Sequence, residues 1–421
     1  MARRRYLIGL IFLTFFVMSV LTNILGPIVP DIIAAFRVNL GAAGFLVFAF
    51  FIAYGVMSIP AGFLVQRFSE KPVMIWAFVA ATVGSLSFAL FPRYPVAMVS
   101  LFVIGGGMAA LQVAINPLLR VAGGSEHLAF NSAVAQLVFG AGSFLSPRLY
   151  SYLVLNLNRS TAQSNGLLRV LHRLTPAPLP WVSLYWLFSV FSLLMILILW
   201  VSRFPTVPQT EDERPGTIQM YRSLASQKTV WLYFVAIFAY LGCEQGTSDW
   251  ISRFLSQYHG FDPHTTGALA VSWFWGLLSA GCFLGMFLLK LFDSRRVLVG
   301  ASAGALLSLT GALFGPASLA ILALPLVGLF VSVMYPIVFS LALNSVKEYH
   351  GALAGILSTG IVGGAIVPLI IGRLGDQFGL RAGLMLLYVT FGIVGSVGFW
   401  AKPLINNATL GAKTAEAAMT P

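Results

Sequence analysis

The sequence predicts an all-α protein whose helices cross a lipid bilayer, six in each of two halves. Three observations carry this prediction. The 421 residues are 58% hydrophobic and 9% charged, with mean hydropathy +0.88. A soluble domain is about 25% charged, so this chain has too few charges to cover a water-facing surface, and more apolar side chain than one aqueous core can hide. About twelve apolar runs each reach the roughly 20 residues that a helix needs to cross hydrocarbon. One dense polar stretch, 202–228, divides those runs six and six. Soluble enzymes, nucleic-acid binders and disordered chains are excluded as readings.

The first run, α1, is expected over Tyr6–Ile33. The basic start Arg3-Arg4-Arg5 resembles a leader, but the run is too long for one. No small-residue cleavage site precedes Pro27 and Pro30, so it reads as a retained helix. The first half, 1–201, continues with α2 (Ala42–Val65), α3 (Val73–Phe91), α4 (Val96–Leu119), α5 (Phe130–Leu155) and α6 (Trp181–Val201). The linker 202–228 follows. The second half, 229–401, holds α7 (Thr229–Ile251), α8 (Thr265–Leu289), α9 (Val297–Phe314), α10 (Ser318–Leu343), α11 (Leu353–Leu374) and α12 (Leu384–Ala401). The tail, 402–421, is small and polar and is expected to be unstructured. Pro27, Pro60, Pro117, Pro336 and Pro368 fall inside runs and are expected to kink them.

The formal charge of +12 reads as an orientation signal. With the N-terminus inside, the cytoplasmic side carries Arg3, Arg4, Arg5, Arg67, Lys71, Arg120, Arg203, Arg214, Arg222, Lys228, Lys290, Arg295, Arg296, Lys347, Lys402 and Lys413, sixteen of the 25 basic residues. Three of the others, Arg159, Arg169 and Arg173, share the long loop between α5 and α6, where the rule is weaker. Both termini are then cytoplasmic. The expected location is a bacterial inner membrane, with the chain a monomer in the bilayer. Cys243 and Cys282 both lie in apolar runs, so no disulfide framework is indicated.

An internal repeat supports the division. In α4, Gly105 precedes Gln112 by seven residues and a proline follows at 117. In α10, Gly328 precedes Tyr335 by seven and Pro336 follows. The loops after α2 (Arg67, Lys71) and after α8 (Lys290) are both short and basic. Two six-helix halves with a site between them describe major facilitator transporters, although any twelve-helix membrane protein shares the count. The loop Gly62–Lys71 looks like the facilitator signature between α2 and α3. It departs where Gln66 replaces the usual acid and Ser69 the usual glycine.

Ionisable groups in hydrocarbon are functional candidates by default. Eleven of the thirteen acids fall in loops or at helix ends, Asp31, Asp262, Asp293 and Asp376 among them. Glu244 and Asp249 remain, both in α7. Glu244 lies a little past the midplane, and Asp249 about one turn nearer the outer face. Either is a substrate or coupling-ion ligand, or else a buried carboxyl that only bonds a neighbouring helix. Neutral polar groups gather at similar depth: Asn23 in α1, Gln112 and Asn116 on one face of α4, Gln136 in α5, Gln245 in α7, and Tyr335 in α10. Amides donate and accept, which suits sugar hydroxyls, yet the same groups glue helices together. Trp273 in α8 is a candidate for stacking on a sugar ring, or an interfacial anchor. The five histidines (127, 172, 259, 264, 350) fall in loops. No metal-ligand pattern and no nucleophile–base pair is visible, so neither a cofactor nor an enzyme activity is indicated.

Several segments resemble the fucose–proton symporter family of major facilitators: Phe330–Leu341, Gly363–Pro368 with Gly372 and Asp376, Asn23 with Pro27, Ile59–Gly62, Gln112–Pro117, and Ala135-Gln136. The resemblance implies a twelve-helix facilitator fold and sugar transport. It also implies departures. The family carries carboxylates at the positions of Asn23 and Gln112, its proposed proton-coupling and sugar-binding groups, and an amide at the position of Phe139. An amide binds a hydroxyl but carries no proton. Glu244, in the other half, is the remaining deep carboxylate. The combined expectation is a monosaccharide transporter working by alternating access, with a site of Asn23, Gln112, Asn116, Gln136, Gln245, Trp273 and Tyr335. Glu244 and Asp249 are its candidates for proton or sodium coupling. A uniporter, an exporter of drugs or metabolites, and a sensor without turnover are the alternatives.

Overall fold

The computed structural model describes residues 2–123, 128–157, 165–204, 218–346 and 349–404. The tail beyond 404, most of the linker with Glu211, Asp212, Glu213 and Arg214, and Glu126, His127, Arg159, Lys347, Glu348, Lys413 and Glu416 lie outside the described residues. Every described element is helical. Among the described residues, ten helices are long and apolar enough to cross a membrane: α1 (Tyr6–Phe36), α2 (Leu40–Phe68), α3 (Glu70–Leu90), α4 (Tyr94–Leu119), α6 (Pro180–Val201), α8 (Pro263–Leu291), α9 (Ser294–Phe314), α10 (Ala317–Leu343), α11 (Ala352–Phe378) and α12 (Leu380–Trp400). An eleventh is α7 (Lys228–Ser248), met at 83° by the short helix Gln219–Ala225. The place of the fifth expected crossing is taken by α5, a helix of 30 residues over Leu128–Leu157.

Several crossings expected as single runs are interrupted, α12 at Met385 among them. α1 turns at Asn23–Ile24, α7 at Asp249–Trp250 before resuming as Ile251–His259, α10 at Ser332–Val333, and α11 passes through a 3-10 turn, Gly360–Val362. Proline explains two of these breaks. Pro27 and Pro336 lack the N–H that the carbonyls of Asn23 and Ser332 would accept. The freed Ser332 carbonyl instead takes the Cys282 thiol at 3.7 Å. Pro60 and Pro117 sit inside continuous helices. The histidines also differ from expectation. His172 belongs to a short helix, Gly166–Leu174, in the α5–α6 connection, His259 ends the α7 extension, and His264 opens α8.

Packing repeats at an interval of six helices. α2 lies along α4, α1 along α5, and α3 along α4 and α6. In the second half α8 lies along α10, α7 along α11, and α9 along α10 and α12. The halves join through α2 on α11 and α5 on α8. The glycines picked out as a repeat perform the same task in each half. A Cβ on Gly105 would strike the carbonyl oxygen of Phe50 in α2, and one on Gly328 that of Phe274 in α8. Small residues are what allow helix backbones to approach so closely in lipid.

The ends of the bundle differ. At the near end, which carries the N-terminus, hydrogen bonds tie the first half to itself: Lys71 Nζ donates to the carbonyls of Trp200 and Ser202 at 2.8 and 2.7 Å, and Tyr6 bonds Ser202 at 2.8 Å. At the far end the halves meet. The hydrogen bonds between described residues of opposite halves join Asp31 to His264, Asp376 to Leu40 and Gly41, Arg148 to Ser272, and Ser272 to Phe144. All lie from mid-depth to the far end. The molecule is closed there and parted at the near end, where Gln112, Asn116, Gln136, Ser340 and Ser358 are exposed.

Candidate functional site

The helical stretch of α7 puts Tyr240 and Glu244 four residues apart on one face. The Tyr240 hydroxyl donates to Glu244 Oε2, and Gln245 Nε2 donates to Oε1 at 3.1 Å. Both carboxylate oxygens are therefore engaged, and the side chain is only half-buried. Tyr335, from the residues just after the α10 break, lies 5.5 Å ring to ring from Tyr240 and stacks on Phe339 at 5.6 Å and 22°. Tyr54 of α2, in the other half, is within electrostatic reach of Tyr335. Glycines make this approach possible: Gly364 of α11 packs against the Gln245 stem, and Gly242 against Val367. The result is a carboxylate flanked by an amide and walled by tyrosines, close to the seam between halves.

The other predicted residues are placed around this cluster. Asn23 sits in the α1 turn, is 5% exposed, and donates from Nδ2 to Ser143 Oγ at 2.7 Å. Its amide already has a partner on α5. Gln112, Asn116 and Gln136 are exposed toward the near end and make no hydrogen bond recorded among the described residues. Trp273 lies on the α5–α8 seam, 48% exposed, edge-on to Phe144 at 5.5 Å, with the Arg148 guanidinium 5.7 Å from its ring. Asp249 occupies the α7 turn at 3% exposure, and its Oδ2 has no hydrogen-bond partner. The backbone there runs directly against Gly26 of α1. Glu244, Gln245 and Tyr335 are thus brought together, and Asp249 stands one turn beyond them toward the closed end.

Sequence reasoning missed the residues that close that end. Asp31 Oδ1 meets His264 Nε2 at 2.8 Å, and Asp31 Oδ2 accepts from the Tyr150 hydroxyl at 2.6 Å. Asp262 caps the first turn of α8 by accepting from the backbone N–H of His264 at 3.0 Å. Asp376 Oδ1 and Oδ2 accept from the backbone N–H groups of Leu40 and Gly41, each at 2.8 Å. A side chain of α11 therefore satisfies two free donors at the start of α2. One signal was available, an Asx-type Asp262-Pro263-His264 start, but nothing local names its partner. Tyr240 and Tyr54 were also missed.

Comparison with known proteins fits this architecture. The sequence pattern described as Major Facilitator Superfamily matches residues 11–368. A glucose/galactose transporter of Brucella abortus is 29% identical over 399 residues, covering 91% of this chain and 92% of that one. The L-fucose-proton symporter of Escherichia coli is 24% identical over 383 residues, covering 87% and 86%. Among solved structures, a bacterial homologue of the human lysosomal transporter Spinster, inward-facing and occupied, superposes with TM-score 0.81 at 14% identity, covering 95% and 97%. With most of its length matched and the fold reproduced, the chain belongs to the major facilitator superfamily.

Proposed function

We propose that this chain carries a hexose of the glucose or galactose kind across a bacterial inner membrane by alternating access. Its two halves, 1–201 and 229–401, would rock about a site between them, joined by the linker 202–228 and followed by the tail 402–421. The observation that carries the reading is a seam closed at the far end and parted at the near end, with Glu244, Gln245 and Tyr335 at mid-depth. Carboxylate and amide suit sugar hydroxyls, and a tyrosine face suits the apolar side of a pyranose ring. The names of the relatives support the same substrate class. Gln112, Asn116 and Gln136 supply ligands from the first half as it closes. Asn23 supports the turn of α1. With the basic side inside, both termini are cytoplasmic and the open end faces the cytoplasm. The chain works as a monomer in the bilayer.

For coupling, Glu244 and Asp249 are the groups we assign, with a proton favoured over sodium. Tyr240 and Gln245 already occupy one lone-pair site on each Glu244 oxygen, which leaves a cation few ligands. A second reading, facilitated uniport, is favoured by the amides at Asn23 and Gln112, where fucose symporters carry acids. Counterflow in proteoliposomes tests the substrate. Galactose or glucose trapped inside should drive transient accumulation of the labelled sugar, and absence of exchange across a panel of hexoses, pentoses and polyols would sink the reading.

A further inference from the structure

On the outside of the second half, α8 and α9 form the walls of a groove of about 300 Å³ whose floor is α10. The side chains at its centre are apolar, Leu284 and Leu288 from α8 and Leu329 and Phe330 from α10, and the one charged lining residue is Arg296 at its mouth. Space is kept open by glycine. A Cβ on Gly300 of α9 would have nothing within 4 Å. The corresponding position of the first half carries a bulky, outward-facing side chain. Counting from the first residues of the equivalent helices, Glu70 of α3 and Ser294 of α9, Gly300 stands where α3 has Trp76. The two halves therefore differ at this position, an indole on one side and no side chain on the other.

The mouth carries net positive charge. Arg295 donates from Nε and Nη2 to Asp293 at 3.1 and 3.0 Å, so that arginine and that acid offset one another. Arg296 is exposed and makes no hydrogen bond recorded among the described residues. Lys290, at the end of α8, adds a second exposed cation nearby. An apolar slot two helices wide, open to hydrocarbon, with a cation at the level of the headgroups matches one amphiphile: an acyl chain in the slot and a phosphate at its mouth.

We infer that the α8–α10 groove is a binding site for an anionic phospholipid, whose acyl chain lies over Gly300 and whose phosphodiester meets Arg296. The lipid braces α8 against α9, two helices that touch each other little except through α10. The site lies outside the seam and does not depend on the sugar reading. A sugar panel that shows no exchange leaves it standing, and loss of lipid binding leaves the sugar reading standing.

The test uses the full chain in detergent, with dioleoyl phosphatidylglycerol and dioleoyl phosphatidylcholine as probes, bound lipid counted by native mass spectrometry and stability read from thermal melting. Wild type should retain one phosphatidylglycerol, preferred over phosphatidylcholine about fivefold, the factor one basic side chain gives near anionic headgroups. Arg296→Gln, a change at an exposed position, should lose most of that preference, Lys290 keeping the remainder. Gly300→Trp should lose the retained lipid while Gly300→Ala keeps it. Inorganic phosphate should leave the melting temperature unchanged. Equal binding of the two lipids to wild type, unaltered preference in Arg296→Gln, or the same stabilisation by free phosphate would each overturn the proposal.

Discussion

His264 and Asp31 meet across the seam between the halves, Nε2 to Oδ1 at 2.8 Å, with the Tyr150 hydroxyl on the other carboxylate oxygen at 2.6 Å. α1 and α5 supply Asp31 and Tyr150, and α8 supplies the histidine, so the triad ties first half to second at the closed end. A hydrogen bond to a charged group is worth about 1.5–3 kcal/mol. That magnitude can decide between two states separated by a few kcal/mol.

His264→Ala should therefore shift the population toward the state open at the far end, by about tenfold to a hundredfold. Labelling of a cysteine introduced at the closed end, in a chain lacking Cys243 and Cys282, reads the shift. Labelling as slow as in the parent would mean that the triad does not hold the halves.

Asp376 caps the start of α2 from the opposite half. Asp376→Ala should favour the same opening by about 1 kcal/mol, the usual worth of a helix cap. Lacking contact with the triad, it should add to His264→Ala within a few tenths of a kcal/mol. A strongly non-additive labelling result would place both in one network.

Ser69 joins α2 to α3 at φ 66° and ψ 174°, a region in which glycine is nearly the only unstrained residue. Ser69→Gly should stabilise the protein by about 1–3 kcal/mol, seen as a higher melting temperature in detergent. The family's usual glycine thus has a backbone reason, and an unchanged or lower melting temperature would contradict it.

Trp273 and Tyr335 should separate in sugar binding. Tyr335→Ala should raise the KM for counterflow, because its ring stands beside the Tyr240–Glu244 pair. Trp273→Phe should leave it unchanged, because that indole packs on Phe144 and Arg148 at the seam's outer edge. The reverse ranking would move the sugar to the α5–α8 side.

Glu244→Gln should leave counterflow, which needs no coupling, and abolish accumulation driven by a proton gradient. Accumulation at the wild-type level would remove the carboxylate from the coupling role.

The sequence carried the crossings and their repeat because hydrophobic run length and glycine position are local signals. Gly105 and Gly328 fell in register and make the same backbone contact in each half. Glu244 was legible as a lone acid deep in an apolar run. Its partner Tyr240 was not, since a tyrosine four residues before an acid is unremarkable until both are seen on one face. Asp31 looked like a helix-end acid and His264 like a loop histidine. Their meaning lies in a contact spanning 233 residues of chain, and no local pattern encodes it. The turn at Asp249–Trp250 carries no proline, so it too was hidden.

The most direct measurement joins the closed end covalently and asks whether sugar still moves. In a chain with Cys243 and Cys282 replaced by alanine, Asp31→Cys and His264→Cys are bridged by a cleavable bifunctional thiol reagent in proteoliposomes. Galactose counterflow should stop on bridging and return on reduction. Counterflow that continues unchanged with the bridge in place would contradict transport by opening of this seam.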